Sequence, residues 1–85
     1  MRDENGRGAI RLHDKTTHGG EVTTACDDLK AMGVAVALHG DMAWCPQCKG
    51  NFKILPVSRS RTHHGEAVAY HDDPTECGAR LISSL

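Results

Sequence analysis

The residues in this chain best suited to chemistry are its four cysteines and six histidines, a large share of soft and borderline metal donors for 85 positions. Two of the cysteines form the tight pair Cys45-Pro46-Gln47-Cys48. Thiolates at this spacing chelate one Zn²⁺ from a knuckle, with Zn–S distances of about 2.3 Å. They can equally open and close a disulfide, where a lowered thiol pKa makes one sulfur the nucleophile. The surroundings of the pair decide between these chemistries.

Those surroundings contain an internal repeat. Asp14 is followed four positions later by His18, Asp41 by Cys45, and Asp73 by Cys77. Before the second and third copies stands one shared frame, Gly33-Val34-Ala35-Val36-Ala37-Leu38-His39-Gly40-Asp41 and Gly65-Glu66-Ala67-Val68-Ala69-Tyr70-His71-Asp72-Asp73. His18, Cys45 and Cys77 therefore hold one position in three copies of a unit, and units converging with threefold pseudo-symmetry would bring them to one axis. Cys48 then supplies a fourth donor. One imidazole and three thiolates make a closed structural zinc site with no open position for water or substrate. The repeat-borne Asp14, Asp41 and Asp73 suit either backbone-accepting turns or carboxylates that orient metal ligands, and the turn role is the commoner use of Asp. His39 and His71 are expected to be solvent-facing or hydrogen-bonded, Cys26 to be a small half-buried hydrophobe, and His63-His64 to be solvated.

The elements that must position these donors read as short strands. Residues 9–12, 34–38 and 67–70 are apolar or alternating and end at polar turns, and 21–25, 52–57 and 79–82 are further candidates. Residues 27–30 read as a hairpin turn, with one helical turn over 29–32 as an alternative, and 58–65 as a polar loop. The expected class is all-β, small and hairpin-rich, with residues 1–8 a flexible N-terminal segment and 9–85 one domain.

Composition explains why such a chain needs a staple. Val, Ile, Leu and Phe together number 15, and nine of the remaining apolar residues are alanine. At about this length a hydrophobic core supplies only ~3–5 kcal/mol, and metals, disulfides or partners make up the rest. Ten basic residues against eleven acidic ones leave no electrostatic footprint for nucleic acid. No apolar run approaches the length of a membrane-spanning helix, and the charged start shows no secretory signal. In the reducing compartment this implies, cysteine spacing points to metal or catalysis before disulfide. No Gly-rich phosphate loop, paired carboxylates or nucleophile elbow accompanies the cysteines, so the chain is not expected to be an enzyme.

Two resemblances follow from these residues. Trp44-Cys45-Pro46-Gln47-Cys48-Lys49 resembles the redox segment of thioredoxin-like proteins, but there the cysteine pair opens a helix, whereas Lys49-Gly50-Asn51 and a β-like run follow here. A thiol–disulfide oxidoreductase using Cys45 and Cys48, or a generic zinc-binding interaction module, are the alternatives to a more extensive likeness. Ile10-Arg11-Leu12-His13-Asp14-Lys15-Thr16-Thr17-His18-Gly19-Gly20, the frame 33–41 with Cys45-Pro46, and the frame 65–73 with Thr75-Glu76-Cys77-Gly78-Ala79-Arg80-Leu81-Ile82-Ser83 resemble the three repeats of PAAR-repeat proteins. The Pro-Ala-Ala-Arg tetrapeptide is itself replaced by Ala35-Val36-Ala37-Leu38 and Ala67-Val68-Ala69-Tyr70, and Cys48 stands where many members carry histidine.

The resemblance implies a small cone capping the trimeric spike of the bacterial type VI secretion system. Its zinc-stapled tip would be held by His18, Cys45, Cys48 and Cys77. Its base would rest on a trimeric VgrG-type spike protein, the Val-Ala strands being either part of that base or core. The implied work is mechanical: sharpening the spike, aiding puncture of a target membrane, and helping to deliver effectors carried by other components. The implied location is the bacterial cytoplasm before firing and the target cell afterwards.

Overall fold

The computed structural model describes residues 6–57 and 61–85. Among them there are nine short strands and no helix: β1 (Lys15–Thr16), β2 (Glu21–Val22), β3 (Cys26–Ala31), β4 (Val34–Val36), β5 (Met42–Cys45), β6 (Gly50–Lys53), β7 (Thr62–His63), β8 (Glu66–Ala67) and β9 (Leu81–Ile82). β6, β5, β2, β1 and β9 form one antiparallel sheet in that order, while β3–β4 and β7–β8 are separate hairpins. The body measures 30 × 23 × 22 Å.

The repeat is a physical symmetry of the backbone. Ile10 N–H donates to Ala69 O, Ala69 N–H to Ala37 O, and Ala37 N–H to Ile10 O, at 2.9, 3.0 and 2.8 Å. Three equivalent residues thus close a ring, and no strand edge is left open at that level. The next step is also threefold. Asp14, Asp41 and Asp73 each donate their N–H to the carbonyl three residues earlier, at Arg11, Leu38 and Tyr70. Each also accepts the N–H of that same residue on Oδ2, at 2.8 Å in all three copies. The turns so formed pass through positive φ at His13, Gly40 and Asp72. The aspartates are therefore turn-closing groups, as favoured from the sequence.

Each aspartate carbonyl then accepts the N–H of a fully buried aliphatic residue: Val22, Ile54 or Leu81. With Ile10, Ala37, Ala69 and Ala43 these build the central apolar cluster. A second cluster gathers Ala9, Ala31, Val36, Leu38, Val68 and Tyr70, with half-buried Cys26, Leu29 and Leu85 against it. The Val-Ala segments 35–38 and 67–70 are buried throughout, so they are core. Small residues predominate because three segments of the chain must meet at one axis, which accounts for the high alanine content.

Several local expectations are corrected. Residues 27–30 are not the hairpin turn, nor do 29–32 form a helical turn: β3 runs to Ala31, and the reversal falls at Met32-Gly33, both at positive φ as a two-residue hairpin requires. Residues 27–29 instead form a bulge, since pairing jumps from Cys26↔Val36 to Lys30↔Ala35. The loop expected over 58–65 lies partly outside the described residues. Its remainder is the β7–β8 hairpin, turning at His64-Gly65, again both at positive φ. Gly8 O accepts the His71 N–H, and Arg7 pairs with buried Asp73 at 3.3 Å.

Candidate metal centre

Two of the four predicted donors sit in equivalent tight turns. Thr16 and Thr75 are buried and start these turns, with Gly19 N–H donating to Thr16 O and Gly78 N–H to Thr75 O. Both closing glycines have positive φ, which leaves His18 and Cys77 at the turn apices. In the second repeat Pro46 occupies the corresponding glycine position and has no N–H to close such a turn. There β5 continues to Cys45, and a four-residue connection, 46–49, leads to β6 with Cys45 paired to Gly50. That longer connection carries Cys48, so the departure from strict threefold repetition is what adds a fourth donor.

Close backbone approach helps set this end of the sheet. A Cβ at Gly20 would drive into the carbonyl of Trp44, the residue before Cys45. Only glycine lets β2 lie against β5 there and keep His18 beside Cys45.

The structure brings His18, Cys45, Cys48 and Cys77 together. One ligand atom from each lies within 4.8 Å of all the others, a group that could hold a metal ion. His18 Nδ1 is 3.4 Å from Cys45 Sγ and 3.8 Å from Cys77 Sγ. Thiolates bound at about 2.3 Å to one tetrahedral ion sit about 3.8 Å apart, so the donors are at coordination spacing. Cys45 is buried, His18 and Cys77 half-buried and Cys48 exposed, and no disulfide joins the cysteines.

The thiols perturb one another. Cys48 is pushed up to about 11, chiefly by its hydrogen bond with Cys45, then by what burial it has and by the charges of Cys45 and Cys77. For Cys77, burial pushes upward, but hydrogen bonds from the Thr75 hydroxyl and the Ala79 backbone, with Cys45 and His18 alongside, outweigh it and bring the thiol to about 7. Crowded thiols that cannot all ionise together are what a dication relieves.

The remaining candidates divide. His39 is exposed and faces Glu66 at 3.3 Å, and exposed His71 accepts the Ser83 N–H at 3.0 Å, so both take the surface roles expected of them. Cys26, Asp28 and His63 form a second group whose ligand atoms all lie within 4.8 Å of one another. Sequence reading missed this group because Asp28 and His63 are 35 positions apart on hairpins that no motif connects. Their one local signal, adjacent Cys26 and Asp27-Asp28 before a glycine-terminated hairpin, is common in turns.

The PAAR motif family matches residues 12–83. No curated protein matches the chain.

Proposed function

The chain belongs to the PAAR motif family, whose members are associated with the type VI secretion spike, and from that premise we propose that it is the structural tip capping this spike. The observation that carries the reading is the closed ring of Ile10, Ala37 and Ala69 within a family-matched chain. A single chain with three equivalent faces about one axis can sit on the end of three identical subunits without leaving one subunit unsatisfied. The partner is thus a trimeric VgrG-type spike protein, one cap to each trimer.

The metal at this centre is one structural Zn²⁺ held by His18, Cys45, Cys48 and Cys77. Three sulfurs and an imidazole nitrogen favour zinc over the oxygen-seeking magnesium and calcium. When bound, the ion ties the ends of three otherwise short turns to one point. With every position filled by protein, the site is closed, and the role is mechanical and non-catalytic. The protein stays in the bacterial cytoplasm until the apparatus fires. It then travels into the target cell at the head of the spike, aiding membrane puncture and effector delivery.

The oxidoreductase alternative is disfavoured because Cys45 ends a strand rather than opening a helix, so no helix N-terminus is there to activate its thiol. The test mixes the chain with a purified trimeric spike protein and measures complex mass by light scattering. One chain per trimer is expected. Absence of a complex at micromolar concentrations, or three chains per trimer, would sink the proposal.

A further inference from the structure

We propose a second transition-metal site, separate from the four-donor centre, formed by Cys26 Sγ, an Asp28 carboxylate oxygen and His63. It joins the β3–β4 hairpin to the β7–β8 hairpin.

The first support is the juxtaposition itself. Three donors of different type, from two hairpins that share no strand pairing, have their ligand atoms within 4.8 Å of one another. The β3 bulge is responsible on one side: pairing skips residues 27–29, which sets Asp28 beside Cys26 rather than along a regular strand. On the other side, the His64-Gly65 reversal presents His63 at the end of β7.

The second support is an unmet need. His63 Nε2 is buried and has no hydrogen-bond partner among the described residues. A buried ring nitrogen without a partner carries an uncompensated desolvation cost, and a cation bound at Nε2 would remove it. The third is that the carboxylate is already oriented. His64 Nε2 lies 2.9 Å from Asp28 Oδ2, and the two histidine rings meet edge-on with centroids 4.2 Å apart. A histidine holding a ligating carboxylate is a familiar outer-sphere partner, which makes His64 a positioning residue.

One thiolate, one imidazole and one carboxylate select a borderline dication such as Zn²⁺ or Co²⁺ over Mg²⁺ or Ca²⁺. Bringing the donors to coordination distance needs side-chain shifts of about 1 Å. Three protein ligands leave at least one position for water, in contrast to the closed four-donor centre. The site would cross-link two hairpins in the region of the second apolar cluster, against which Cys26 packs.

The test is a Co²⁺ titration of the full chain, metal-stripped and held reduced. Sulfur-to-cobalt charge-transfer absorption scales with the number of bound thiolates. Two equivalents are expected, one with the intensity of three thiolates and one with a third of it. The Cys26→Ser, His63→Ala double variant should lose only the weaker-absorbing equivalent, and His64→Ala should weaken that equivalent about 10- to 100-fold. Saturation of the wild-type chain without a one-thiolate equivalent, even under excess Co²⁺, overturns the proposal. So does survival of that equivalent in the double variant. Loss of the three-thiolate equivalent alone would count against the spike-tip centre and leave this site standing, so the two readings fail separately.

Discussion

At the scale of single residues, the donor set is chemically tolerant but positionally strict. Histidine and cysteine both serve zinc, so Cys48→His should keep the ion, whereas Cys48→Ala, His18→Ala and Cys77→Ala should each lower the zinc content retained through dialysis. Elemental analysis of the dialysed variants checks this. If His18→Ala and Cys77→Ala retained zinc as wild type does, convergence of the repeats on the ion would be wrong. Metal uptake should also depend on pH in a defined direction. Between pH 7 and 9, Cys77, at about 7, is becoming ionised while Cys48, at about 11, still holds its proton. Binding must displace at least that proton, so affinity should rise by about tenfold or more per pH unit in this range. Competition with a chelator of known affinity at pH 7, 8 and 9 measures it, and a flat profile contradicts the reading.

At the scale of elements, the turns do the positioning. Asp41 closes its turn with Oδ2 and accepts the Thr24 hydroxyl at 3.1 Å on Oδ1, while Asp14 accepts Ser84 at 2.6 Å in the same way. Asp41→Ala should cost about 1–3 kcal/mol, because it strands the Leu38 N–H in partly buried surroundings. Two glycines separate crowding from backbone conformation. Gly33 sits at positive φ with open space around its Cβ direction; Gly33→Ala should cost about 1 kcal/mol from that conformation alone. At Gly20 an added Cβ meets the Trp44 backbone carbonyl, which cannot rotate away; Gly20→Ala should cost at least about 3 kcal/mol. Urea denaturation of the zinc-loaded variants ranks them, and Gly20→Ala no more disruptive than Gly33→Ala would show that β2 and β5 can separate freely. The Asp-to-donor spacing was legible in the sequence because turn chemistry is local. The bulge in β3 was not, since the same Asp-Asp-Leu-Lys string suits a turn, and only pairing with β4 rules that out.

At the scale of the whole molecule, the proposed zinc centre would supplement a thin, alanine-rich core. Structural zinc sites supply on the order of 10 kcal/mol of apparent binding energy near neutral pH. Stripping the metal should therefore lower the melting temperature by about 20 °C or more, at about 4–8 °C per kcal/mol for a domain of this size. Thermal melts followed by circular dichroism, with and without a strong chelator, test this; an unchanged midpoint would mean that the core carries the fold unaided.

The sequence by itself determined the class of fold, the three repeats and the four candidate donors, and it favoured a turn role for the aspartates. These are matters of residue type at short, repeated spacing, and short spacing constrains backbone geometry directly. Only the tertiary structure decided that Ile10, Ala37 and Ala69 close a hydrogen-bonded ring, that Gly20 is required by a neighbouring carbonyl, and that Cys26, Asp28 and His63 meet. Each of these depends on contacts between segments far apart in the chain. No local rule fixes such contacts until the three copies have packed about their common axis.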